Sequence, residues 1–112
     1  GKYFLKALKV KSKLISEVNT AFKKFDYMIS PTTPVQPFKF GEKIDDPVTL
    51  MLLDYNTVTA NLTGKPAISV PYRVINGLPI GIQIMANSLE EKSLLQSAYA
   101  LESKTNLPEV PL

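Results

Sequence analysis

Residues 41–71 read GEKIDDPVTLMLLDYNTVTANLTGKPAISVP, combining a helix start, a mostly apolar helix, a hard stop and a short strand. Asp46-Pro47 is a helix start: the Asp side chain can accept from orphan N–H groups, and Pro suits the first helical position. Gly64-Lys65-Pro66 is a stop, because Gly takes the left-handed cap and Pro cannot continue a helix. A helix over residues 47–63 is therefore predicted, roughly 25 Å long at 1.5 Å per residue. Val48, Leu50, Met51, Leu52, Leu53, Tyr55, Val58 and Leu62 point almost all round it, the pattern of a helix buried inside something larger. Asp54 sits in the middle of that run. A carboxylate there needs a partner, since an unpaired buried charge is very costly. The partner is either a structural cation or a ligand. Ala67–Val70 follows as a short strand.

Upstream, residues 2–25 carry apolar positions Leu5, Leu8, Ile15, Val18, Phe22 and Phe25 at helical spacing, with Leu14 and Ala21 widening the stripe. Residues 26–30 form a short apolar strand that Pro31 ends. Residues 31–44, with Pro31, Pro34 and Pro37, are a loop. A strand, a crossover helix and a second strand of one sheet should make a right-handed parallel unit. Downstream, Asn76-Gly77 is a type I′ hairpin signal. The next strand is expected over 80–85, where Ile80, Ile82 and Ile84 alternate with Gly81, Gln83 and Met85. Gly81 is expected to admit another backbone, and Gln83 to bond backbone groups of the neighbouring layer. Ser88-Leu89-Glu90-Glu91 fits a capping box opening a helix over 89–104. The fold class is α/β: a mixed sheet flanked by helices in the order α-β-α-β-β-α.

Composition narrows the chemistry. The 112 residues contain no Cys and no His, which removes thiolate catalysis, the usual zinc sites and every Ser-His-Asp arrangement. Ser30 and Ser69 stand at strand ends beside Pro with no base nominated, so neither is taken as a nucleophile. No apolar run approaches the ~18 residues of a membrane span. Residues 1–25 hold seven Lys and one acid, Glu17, and the remainder is net negative. A basic helix of this kind is either a solvated face or an RNA contact.

The motifs Asn61-Leu62-Thr63-Gly64-Lys65-Pro66-Ala67-Ile68-Ser69-Val70-Pro71 and Gly77-Leu78-Pro79-Ile80-Gly81-Ile82-Gln83-Ile84 resemble the C-terminal part of amidase-signature enzymes. Gly41-Glu42, Asp45-Asp46-Pro47 and Asp54 are similar to one branch, the A subunits of tRNA-dependent glutamine amidotransferases. The resemblance runs from Tyr3 to about Glu102. It departs at Lys11, where the family has an Arg whose bidentate fork Lys lacks, and at Thr63, where Ala is usual. It implies that residues 1–112 are a single segment, the C-terminal fragment of a larger amidase domain. Such a fragment should leave a sheet edge unpaired and leave Leu50, Met51, Leu53 and Val58 open. In that family the catalytic Lys and two Ser lie upstream in a Gly/Ser-rich stretch that this chain lacks, so no catalytic residue and no metal ligand is assigned and the segment alone should be inactive. The family's glutamine-binding Asp falls on Asp54, which makes it the substrate-binding candidate. The resemblance further implies release of ammonia from glutamine for Glu-tRNA(Gln) or Asp-tRNA(Asn). It implies B and C subunits as partners, charged tRNA reached through that complex, and no membrane contact. It places ATP and Mg in the partner subunit, no cofactor in this segment, and the complex in the cytoplasm. Two other readings stay open: an amidase-signature hydrolase of another small amide, and a small RNA- or protein-binding module using the lysine-rich first helix.

Overall fold

A computed structural model, describing residues 1–39, 41, 46–105 and 107, gives the order α1 (Lys2–Ala21), β1 (Tyr27–Pro31), α2 (Pro47–Leu53), α3 (Thr57–Thr63), β2 (Ala67–Ile75), β3 (Leu78–Ala86) and α4 (Glu91–Glu102). Glu42 and Asp45 of the quoted motif, and Asn106 and Pro108 near the chain's end, lie outside the described residues.

The α/β class and the three strands hold; the pairing differs from the mixed sheet expected. The strand order is β1-β3-β2, and both ladders are antiparallel. β1 and β2 run in the same direction, as a strand–helix–strand crossover requires, but β3 lies between them. The cause is local. Asn76 and Gly77 take φ of 52° and 79°, the two positive values of a type I′ turn, which folds β3 directly back on β2. With the inner edge of β2 taken, β1 pairs with the other edge of β3, Tyr27 opposite Ala86 and Ser30 opposite Gln83. β2 is one long strand, with an irregularity between Pro71 and Arg73 that leaves Tyr72 as the extra residue.

The alternation on β3 divides two cores. Ile84 and Ala86 join Val70, Leu94 and Ala98 under α4, while Met85 joins Val18 and Phe22 of α1 with Ala60 of α3 alongside. The sheet is thus covered by α4 on one face and by α1 and α3 on the other.

Three helices depart from the expected bounds. α1 ends at Ala21 rather than 25, because the chain must turn to bring Tyr27 to Ala86; the N–H groups of Lys23 and Lys24 close that turn on the carbonyls of Thr20 and Ala21. Phe25 is exposed as a result, as are Leu5 and Leu8. The capping box at 88–91 does not form. Ser88 Oγ accepts from Lys65 Nζ at 3.0 Å, Leu89 turns left-handed with φ 65°, and Glu90 becomes the cap residue. The helix expected over 47–63 is broken at residues 54–56 into α2 and α3. Its ends are as expected: Asp46 accepts from the N–H groups of Val48 and Thr49, and Gly64 takes φ 65°. Leu50, Met51 and Val58 are exposed and Leu53 is half-buried, so this segment's apolar side chains do lie open.

Two outcomes follow from this packing. A Cβ on Gly81 would lie 2.6 Å from Ser69 Oγ and 2.9 Å from Thr32 Oγ1, so what approaches this glycine is a pair of hydroxyls as well as the Thr32 N–H, which donates to its carbonyl. Gly81→Ala should cost about 1–3 kcal/mol by overpacking in urea denaturation, and Ser69→Ala in that background should restore part of it. An unchanged midpoint for Gly81→Ala would contradict the close approach. The second outcome concerns Asp46, whose carboxyl is held below its ordinary 3.8 by the Thr49 hydroxyl first, then by the Val48 and Thr49 N–H groups. A depressed folded value means the cap contributes fully above pH 3.8 and is lost as pH falls through the lowered value. Asp46→Ala should therefore melt lower than the unchanged protein at neutral pH, and the gap should close on acidification through that value.

Candidate functional site

On the face opposite α4, the sheet register sets Ser30, Gln83 and Ser69 side by side in one row. The next row brings Thr32 over Gly81, and Thr32 Oγ1 and Ser69 Oγ share a hydrogen bond of 2.6 Å. Apolar Met28 and Met85 continue the face on the other side of the row. A cleft of about 470 Å3 opens here, bounded by Met28, Ser30, Gln83 and Met85 below and by Met51, Tyr55, Asn56 and Thr59 above.

The break between α2 and α3 closes the upper side of this cleft, and it is tied down by amides. Gln83, only 7% exposed, donates from Nε2 to the Asn56 carbonyl at 3.1 Å. Asn56 donates from Nδ2 to the Pro31 carbonyl at 2.8 Å. The expectation that Gln83 reaches backbone in the neighbouring layer is met. Nothing in the sequence singled out Asn56 as its counterpart.

Asp54 is the last residue of the α2 turn, with φ −98° and ψ −1°. Its carbonyl accepts from the N–H groups of Thr57 and Val58 at 3.1 and 2.9 Å and from Thr57 Oγ1 at 3.1 Å. Its side chain is exposed, beside Tyr55 and Asn56 but outside the cleft lining. Asp54, expected on a helix buried inside something larger, lies at the surface of the described residues, beside the likewise exposed Met51 and Tyr55. Among the described residues no Lys or Arg pairs with it; the one ion pair is Lys13–Glu17 on α1, at 3.8 Å and largely exposed. The α1 lysines Lys2, Lys6 and Lys9 are likewise exposed, as a solvated face would be.

Ser30 and Ser69 have hydroxyl and amide neighbours and no base among them. A serine needs an activating partner to be a nucleophile, so in this arrangement the two hydroxyls are hydrogen-bonding groups of the face. Among the described residues there is no group of three or more Asp or Glu that could hold a metal, and no helix is long and apolar enough to cross a membrane.

A buried cation escaped the sequence reading altogether. Lys65 is 8% exposed; its Nζ donates to Asn87 Oδ1 at 2.8 Å and Ser88 Oγ at 3.0 Å, and lies 5.5 Å from the centre of the Phe22 ring. With neutral acceptors and an aromatic face, the charge is stabilised without a carboxylate. It joins the end of α3 to the β3–α4 connection and to α1. Its place between a helix-capping Gly and a Pro marked only a helix end, and no pattern in the sequence announced the burial.

Comparison with known proteins agrees with this geometry. A sequence model of the amidase family matches residues 1–95. A protein of Cenarchaeum symbiosum, named as the A subunit of glutamyl-tRNA(Gln) amidotransferase, is 52% identical over 111 residues, covering 99% of this chain and 23% of its own length. A crystal structure of the glutamyl-tRNA(Gln) amidotransferase A subunit from Thermotoga maritima is 41% identical with a TM-score of 0.90, over 96% of this chain and 24% of that one. The structure of a 6-aminohexanoate cyclic dimer hydrolase is 28% identical with a TM-score of 0.76, over 96% and 25% of the two chains. The chain therefore spans about a quarter of the length of each relative.

Proposed function

The chain belongs to the amidase family, and on that premise we propose that it is part of a glutaminase subunit that releases ammonia from glutamine for tRNA-dependent transamidation. The observation that carries this is the 52% identity over 99% of the chain to a protein named as a glutamyl-tRNA(Gln) amidotransferase A subunit. The 0.90 TM-score to a second protein of that name supports it. In this reading the ammonia serves Glu-tRNA(Gln) or Asp-tRNA(Asn), the B and C subunits are the partners, and ATP and Mg act in the partner subunit, in the cytoplasm. The residues packed here form one part of a larger amidase domain. The open side chains of α2, Met51 at 76% exposure and Tyr55 beyond it at 70%, support that further packing, since large exposed apolar patches mark interaction surfaces.

Asp54 is the proposed substrate-binding residue. A glutaminase has to distinguish a free amino acid from an ordinary amide, and the α-ammonium is the distinguishing charge. An exposed carboxylate next in sequence to the cleft-lining Tyr55, unpaired among the described residues, is suited to that charge once the rest of the domain excludes water. The catalytic Lys and two Ser of the reaction would come from outside these residues.

A second reading, hydrolysis of another small amide, is favoured by the 28% identity to the cyclic dimer hydrolase structure. Glutaminase activity stimulated by charged tRNA and ATP would support the first reading over it.

Asn is nearly isosteric with Asp and neutral. In the complete subunit with its partners, Asp54→Asn should lower glutamine-dependent activity by roughly two orders of magnitude, about 2.7 kcal/mol. Activity from free ammonia, which bypasses the amidase site, should survive, and the melting temperature should move little. Intact glutamine use with a melting temperature many degrees lower would instead make Asp54 a member of a structural ion pair.

A further inference from the structure

Residues 48–63 contain no Gly and no Pro, but Asp54, Tyr55, Asn56, Thr57, Val58 and Thr59 are a run of weak helix formers. The helix is interrupted at residues 54–56, where low local propensity permits a break and contacts from the sheet hold it in one geometry. Two amide bonds hold that geometry. Gln83 of the central strand holds the Asn56 carbonyl at 3.1 Å, and Asn56 holds the Pro31 carbonyl at the end of β1 at 2.8 Å. The Asn56 carbonyl is thereby engaged by the sheet, and the turn is anchored to two strands at once.

Asp54 is rigidly joined to this anchor. Its carbonyl takes three donors from the first turn of α3, the N–H groups of Thr57 and Val58 and the Thr57 hydroxyl. Two residues of chain span at most about 7 Å, so wherever Asn56 is held, the Asp54 backbone is held as well. In a continuous helix each residue would turn by about 100° from the last, and the Asp54 side chain would leave the helix in a different direction.

We infer that Gln83 and Asn56 are positioning residues that hold the helix break open and thereby aim the Asp54 carboxylate at the substrate ammonium. Both act through Asp54. The inference rests on the proposed role of Asp54 and deepens it: selectivity for a free amino acid is set by a strand amide that lies a layer away from the charge.

The test uses the complete subunit with its partners and compares two amides: glutamine, and the same five-carbon monoamide lacking the α-amino group. The quantity read is the ratio of their kcat/KM values. Gln83→Met removes the donor at similar volume, and it should lower that ratio by about tenfold through a raised KM for glutamine. Activity on the desamino amide should change by less than about threefold. Asn56→Ser removes the second tie and should act in the same direction; it also carries the test should Gln83→Met fail to fold. Asp54→Asn should abolish most of the discrimination. If Asp54→Asn collapses the ratio while both amide variants leave it unchanged, the positioning role is overturned and the Asp54 reading stands. If the amide variants depress both substrates equally, they are structural only and the inference is again overturned. If Asp54→Asn leaves the ratio intact, the functional reading itself fails and takes the inference with it.

Discussion

Strand β3 is hydrogen-bonded on both edges and loaded on both faces, and the remaining elements take their places from that constraint. Ile84 and Ala86 require an apolar cover on one side, which α4 supplies with Leu94 and Ala98; Met85 requires one on the other, which α1 supplies with Val18 and Phe22. Gln83 is the exception in this strand's buried row. A buried amide left without partners costs about 1–3 kcal/mol, comparable to the gain from burying one large apolar side chain. Polar chain must therefore come to it. The turn between α2 and α3 does so with the Asn56 carbonyl. The same physical demand that stabilises the sheet thus fixes the helix break above the cleft.

The two sides of the sheet differ in how finished they are. Under α4 the apolar residues close on one another, and even the Tyr27 hydroxyl finds the Ser93 carbonyl at 3.2 Å. On the other side α1 covers the sheet with its C-terminal half alone, while Tyr3, Phe4 and Leu5 at its start remain exposed together with Val48, Leu50 and Met51 of α2. The polar row of Ser30, Gln83 and Ser69 lies on this open side. A layer packed over it would enclose the cleft and place Asp54 in a poorly solvated setting, where a charge-assisted bond is worth more than in water.

Much of this was legible from residue types with a local mechanism. Asp46-Pro47 and Gly64 marked helix ends because caps act within one turn, and Asn76-Gly77 marked the hairpin because its positive φ values suit few other residues. Family motifs likewise pointed to the amidase relatives. What sequence left hidden was set by contacts distant in the chain. The hairpin inserted β3 between β1 and β2, where a crossover alone suggested direct neighbours. Lys65 drew off the Ser88 hydroxyl that a capping box would have used. Gln83, 27 positions from Asn56, ties down the turn that interrupts the expected helix. Periodicity within residues 47–63 could not have shown that turn.

The role proposed for Asp54 is to receive the ammonium of glutamine. The most direct measurement is a crystal structure of the complete subunit with glutamine bound. The expected result is an Asp54 carboxylate oxygen about 2.7–2.9 Å from the substrate nitrogen, the length of a charge-assisted bond, with Gln83 still bonded to the Asn56 carbonyl. An Asp54 carboxylate paired with a Lys or Arg of the protein, and a glutamine ammonium held by other groups, would contradict it.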